Sequence, residues 1–206
     1  MCTTLHSRRA SAQLHRSQWW LVKRLSAASS LMVLAVLPSG AEGLSSIELP
    51  HDPSHAERPV EWCAYHIARK ELIAALSDCN YAVAQNPKSA AALSNRGSVW
   101  LIAGESKRSI RDFDAALKIT PADASLHYNR GIALSNLGLS HEAIADFGEA
   151  IRLRPNFAIA HHNRGYEYER LLRRDEALAD YKRALQLDAS LKPPADAIRR
   201  MEKLSQ

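Results

Sequence analysis

The tripeptide Asn-Arg-Gly begins at Asn95, Asn129 and Asn163, so it recurs at intervals of 34 residues. A fixed period constrains architecture more than any single motif, because self-similar units must stack on one another to bury their apolar faces. The match extends well past the tripeptide. Pro87, Pro121 and Pro155 fall in step, with Ala189 in the fourth place. Phe113, Phe147 and Tyr181 coincide, as do Ala116, Ala150 and Ala184, and again Asp112, Asp146 and Asp180. Gly104 and Gly138 match, but Leu172 holds the third place.

Each unit reads as two helices. In the middle one, Ala124 to Asn136 carries Leu126, Ala133 and Leu134 at helical spacing, and Gly138 supplies a stop because glycine takes the left-handed conformation that ends helices. A second helix is predicted from Ser140 to Leu153, burying Ala143, Ile144, Phe147, Ala150 and Ile151. Pro155 cannot continue it, while Asp123 and Asn156 are good N-cap types for the helices that follow. Gly131 and Ala143 lack bulk, so the two helices can approach there, and Phe147 fills the space beside them.

Gly97, Gly131 and Gly165, Ala143 and Ala177, the three aromatic positions, the alanines after them and the prolines together resemble the tetratricopeptide repeat, a 34-residue helix–turn–helix unit. Ser109 replaces the alanine in the first matching unit. The resemblance implies an all-α fold, an α-solenoid with units at 90–123, 124–157 and 158–191. A degenerate unit covers 59–89: Ala75, Ala82 and Pro87 stand in phase within a helix from Leu72 to Gln85, but Cys63 takes the place of the glycine. Pro193 and Pro194 open a capping helix over 193–204, apolar on Ala197, Ile198, Met201 and Leu204 and charged elsewhere. The repeat domain therefore runs over 59–206, after a flexible lead-in at 42–58.

The first 41 residues differ in composition. They hold Arg8, Arg9, Arg16, Lys23 and Arg24 and no acidic residue, then an apolar stretch from Leu25 to Leu37, Pro38, and Ser-Gly-Ala ending at Ala41. That order describes a secretory signal peptide cleaved after Ala41. The alternative is an uncleaved inner-membrane anchor, although the stretch falls short of the ~20 residues a span needs. A start near Val22 would give the signal ordinary proportions. A periplasmic or secreted repeat domain follows, with no membrane insertion of the mature chain. The signal also accounts for the basic balance: of 27 basic and 22 acidic residues, five basic ones leave with it, so the remainder carries 22 of each. Nucleic-acid binding is thereby disfavoured.

No catalytic motif emerges: the chain has no phosphate-cradling glycine loop, no His-Glu-x-x-His and no nucleophile elbow. His161 and His162 diverge by about 100° on a helix, and His127 and His161 read as packing residues in equivalent places. His51 and His55 fall in the lead-in. Neither metal, cofactor nor enzyme activity is expected. A metal- or substrate-handling role for His127, His161 and His162 stands as the contrasting alternative.

What remains is surface. The resemblance implies a concave groove lined by first helices, which on this chain presents Asn95, then Tyr128, Asn129 and Ile132, then His162, Asn163, Tyr166 and Arg170 to a protein partner's peptide or helix. Ser94, Tyr128 and His162 stand where some relatives carry the lysines of a carboxylate clamp, which argues against a chaperone-tail ligand. Two pairings are also expected. Arg96, Arg130 and Arg164 each precede Asp112, Asp146 and Asp180 by 16 residues, predicting a ladder of ion pairs within units or between neighbours. Cys63 and Cys79 share that offset and are the only cysteines after the signal, predicting a disulfide in an oxidising compartment. The resulting expectation is a non-catalytic interaction module of the bacterial periplasm, or a membrane-tethered adaptor if the apolar stretch is retained.

Overall fold

A computed structural model describes residues 53–203, so the signal segment, residues 42–52 and Leu204 lie outside the described residues. A 3-10 turn at Pro53–His55 leads into nine α-helices: α1 (Pro59–Ala68), α2 (Leu72–Gln85), α3 (Ala90–Ile102), α4 (Ser106–Ile119), α5 (Ala124–Asn136), α6 (Ser140–Leu153), α7 (Ala158–Arg170), α8 (Arg174–Leu187) and α9 (Lys192–Lys203). Among the described residues there is no strand, and no helix is long and apolar enough to cross a membrane. The fold is an all-α solenoid of tetratricopeptide-type helix pairs, and α5 and α6 span the residues that the periodicity predicts.

Two local signals set the ends. Asp123 accepts hydrogen bonds from the Ser125 and Leu126 amides, satisfying donors that the first turn of α5 would otherwise leave unpaired, and Ser89 does the same for α3 through Ala92. Asn156 does not cap α7 as expected; Phe157 occupies the cap position and offers no side-chain bond. Between paired helices the chain turns through a left-handed residue, Gly104 (φ 80°) and Gly138 (φ 77°). The same place holds Lys70 and Leu172, each at φ 60°, where a side chain crowds the backbone. The lead-in ends earlier than its composition suggests: His55 is largely buried, stacks on Trp62 with ring centroids 3.9 Å apart, and hydrogen-bonds Asp78, so 53–55 belongs to the fold.

Within each regular unit one contact sets how closely the paired helices approach. A Cβ added at Gly97 would lie 2.9 Å from Phe113, at Gly131 2.7 Å from Phe147, and at Gly165 3.0 Å from Tyr181. All three rings are fully buried. In the first unit Cys63 and Cys79 take these two places. The structure joins their sulfurs, with Cα atoms 5.0 Å apart. At the other end, Ala197 and Met201 of α9 pack on Ala177 and Tyr181, shielding the last unit's apolar face.

A polar ladder runs beside this core. Arg96, Arg130 and Arg164 each make two hydrogen bonds to the aspartate of their own unit, at 2.6–2.8 Å. Pairing is thus within units, with struts to the preceding unit: Arg130 also reaches Asp114 at 2.7 Å, and Arg96 reaches Asn80 at 3.4 Å. Asp146, and then Asp114, hold the Arg130 guanidinium above its ordinary value against the opposing cost of burial. Burial would raise the Asp180 carboxyl, but Arg164 and His161 outweigh it and hold the carboxyl below its ordinary value. The histidines read as packing residues are part of this ladder. His127 Nδ1 lies 3.2 Å from Asp146 and His161 Nδ1 lies 3.0 Å from Asp180.

Candidate functional site

The first helices of successive units contact one another directly (α1 with α3, α3 with α5, α5 with α7), forming a continuous surface. Between α5 and α7 that surface opens into a cavity of about 270 Å³ lined by Ile132, Ser135, Phe147, His162, Asn163 and Tyr166. Its position follows from the repeat. Residues 34 apart stand in line on adjacent first helices, so Ile132 of one unit and Tyr166 of the next share a face, while Phe147 rises from the second helix beneath.

Four of the expected partner-binding residues therefore converge here: Ile132, His162, Asn163 and Tyr166. Tyr166 is 50% exposed, a large amphipathic ring on open surface. Burial lowers His162, keeping it neutral at neutral pH, and among the described residues nothing hydrogen-bonds its buried Nδ1. Arg170 reaches the same place by bonding the Ser135 carbonyl at 3.4 Å and Glu167 at 3.0 Å. The other expected residues are engaged elsewhere or stand apart. Tyr128 packs on Phe157 and Phe147, with centroids 4.8 Å and 5.9 Å away, and its hydroxyl accepts a hydrogen bond from Asn163 at 3.1 Å. Asn95 donates to the Val60 carbonyl of the preceding unit at 3.3 Å, and half-buried Asn129 lies outside the cavity lining.

Two groups escaped the sequence reading. Glu167 is fully buried beside the cavity, bonded to the Ser135 hydroxyl and to Arg170, where earlier units carry Val99 and Ala133. A carboxylate in an otherwise apolar column was the available signal. The second group lies at the opposite end: His55, His66 and Asp78 bring one ligand-type atom each within 4.8 Å of one another. His127, His161 and His162, weighed for metal chemistry, do not converge. His127 and His161 instead bind different aspartates.

Models described as tetratricopeptide repeat match residues 66–124, 124–157 and 158–190. No curated protein matches the sequence. Among solved structures, the crystal structure of MamA is similar at 24% identity, with a TM-score of 0.62 over 67% of this chain and 81% of that one. MamA 41-end from Desulfovibrio magneticus RS-1 is similar at 19% identity, with a TM-score of 0.62 over 69% and 80%. The first TPR of Spaghetti (RPAP3), solved bound to an HSP90 peptide, is similar at 24% identity, with a TM-score of 0.55 over 57% and 94%. These likenesses concern the fold.

Proposed function

Because the chain belongs to the tetratricopeptide repeat family, we propose that it is a non-catalytic interaction module that holds an extended segment of a protein partner across the face formed by α3, α5 and α7. The observation that carries this reading is the cavity between α5 and α7. It combines an exposed aromatic ring, apolar walls from Ile132 and Phe147, and a buried imidazole nitrogen whose hydrogen-bonding capacity is unspent. Apolar walls with a few placed polar groups suit a side chain flanked by a peptide backbone. An HSP90 peptide bound to a protein of similar fold supports a peptide ligand here. The absence of lysine at 94, 128 and 162 argues against the same anionic tail.

We place this module outside the cytoplasm, on the signal-like order of residues 1–41 and on a cysteine pair suited to oxidising conditions. Mass measurement of the mature chain separates a cleaved signal from a retained anchor. A photo-crosslinking residue at Tyr166 tests the groove. It should capture a partner that the same residue at exposed Lys182, on the second helix α8, does not. His162→Ala should reduce that capture at least tenfold. Equal capture from both positions would overturn the reading.

A further inference from the structure

We propose that His55, His66 and Asp78 form a binding site for one divalent transition-metal ion of the zinc class, which ties the turn at Pro53–His55 to the helix pair α1 and α2.

The inference starts from register. Asp78 stands where later units carry Asp112, Asp146 and Asp180, but Trp62 occupies the place of their arginines. The carboxylate is 2% exposed, and the indole at that position brings it no positive charge. A buried carboxylate requires compensation by opposite charge. Two imidazoles turn toward it instead. His55 Nδ1 lies 3.0 Å from Oδ2, and His66 Nε2 lies 3.5 Å from the same oxygen.

His66 supplies the decisive detail. Its Nδ1 is 2.6 Å from Glu71 Oε2, and an ionised carboxylate only accepts, so Nδ1 carries the proton. In the neutral ring Nε2 then presents a lone pair to the Asp78 oxygen. In that form two acceptors face each other, and Nε2 is buried without a hydrogen bond. A cation between them removes the conflict. A carboxylate behind the distal ring nitrogen of a metal-binding histidine is also the usual outer-shell arrangement, fixing the tautomer and the ring plane. Stacking on Trp62 holds the plane of the His55 ring.

The spacing and donor types agree. Ligands about 2.0–2.1 Å from a tetrahedral ion lie roughly 3.3 Å from one another, and the two separations from Asp78 Oδ2 bracket that value. Two imidazoles and one carboxylate suit zinc and its neighbours rather than calcium or magnesium, and three protein ligands leave one coordination position for water.

The test uses the full chain with its disulfide intact, stripped of metal and titrated with Zn²⁺ against a chromophoric chelator. One tight equivalent is expected. His66→Gln and Asp78→Asn should each weaken it at least tenfold, and Glu71→Gln by about 10- to 100-fold through the outer shell. His161→Gln, which disturbs the comparable pair with Asp180, should change nothing. Circular dichroism identifies any variant that fails to fold. For that case, the Co²⁺-substituted parent provides an independent reading: tetrahedral visible bands without thiolate charge transfer support the site. The proposal is overturned if a His55→Gln/His66→Gln double variant keeps the same tight equivalent, since the chain has nine histidines that can bind metal elsewhere. It is equally overturned if no equivalent binds, which would leave a proton between His66 and Asp78, or if thiolate charge transfer shows that the cysteines hold the ion.

Discussion

The first unit and the three that follow solve the same packing problem with different chemistry. Gly97, Gly131 and Gly165 let a buried ring approach the opposing helix, whereas the first unit has Cys63 and Cys79 in the places of glycine and ring. Later units compensate a buried aspartate with a bidentate arginine, whereas the first turns two histidines toward Asp78. The repeat therefore fixes where two helices must touch and where a buried carboxylate must be answered, but not which residues do either. Among the described residues no helix pair precedes the first unit for it to pack on. A covalent cross-link compensates for lost packing in a way that a glycine–ring contact cannot.

Breaking the cross-link is the most direct way to test that contrast. Closing a loop of this length contributes about 3 kcal/mol, mainly by restricting the unfolded chain. Cys63→Ser should cost about that amount, and hydrogen exchange should accelerate in α1 and α2 while α5 to α8 stay protected. Thiol titration of the protein denatured without reductant should find no reactive thiol in the Cys63–Cys79 pair; two would dismiss the cross-link and with it the comparison.

The ladder comes next. Asp180→Asn breaks a pair that is buried on the carboxylate side and partly exposed on the Arg164 side, so a loss of about 2 kcal/mol is expected. The sign with pH follows from the lowered carboxyl. The folded state binds fewer protons than the unfolded state, whose aspartates titrate near ~3.9, so the stabilisation is present above that value and fades as pH falls through the folded one. Parent and variant melting curves should converge in acid. A gap that stays constant down to pH 2 would assign the effect to packing instead.

A smaller loss is expected from Gly131→Ala. Its new Cβ would sit 2.7 Å from the buried Phe147 ring, a strain of about 1–3 kcal/mol set against ~1 kcal/mol of helix propensity gained. Urea melts should show net destabilisation; a stabilised variant would mean that the glycines are not needed for close approach. Least in size, and opposite in sign, is Leu172→Gly. Leu172 is 90% exposed and left-handed, so removing its side chain should stabilise by about 1 kcal/mol without loss of contacts. No gain in melting temperature would show that this turn bears its leucine without strain.

Most of the fold was legible because the period reports helix faces directly: the Gly-to-ring and Arg-to-Asp offsets are each 16 residues, and both pairs meet in the structure. The site was less so. Nothing in the spacing reveals that Asn163 spends its amide on Tyr128 or Asn95 on Val60, because those partners sit on the neighbouring first helix. Glu167 hid in a column otherwise held by Val99 and Ala133. The His55, His66 and Asp78 cluster was harder still. His55 comes from before the first repeat, in a stretch whose prolines read as flexible, and its phase relative to Asp78 is set by stacking on Trp62 rather than by any period.

Repetition also poses a counting problem for a folding chain. Three units with the same glycine, ring, arginine and aspartate can exchange helices with a neighbouring unit and still satisfy those contacts within each helix pair, a kinetic trap characteristic of repeat arrays. The first unit does not permit that slip. Shifted by one unit, Cys63 would abut the Phe113 ring, and Trp62 would face Asp112 where Arg96 now sits. Its departures from the pattern thus act as a zero mark, from which the order of the remaining helices is counted.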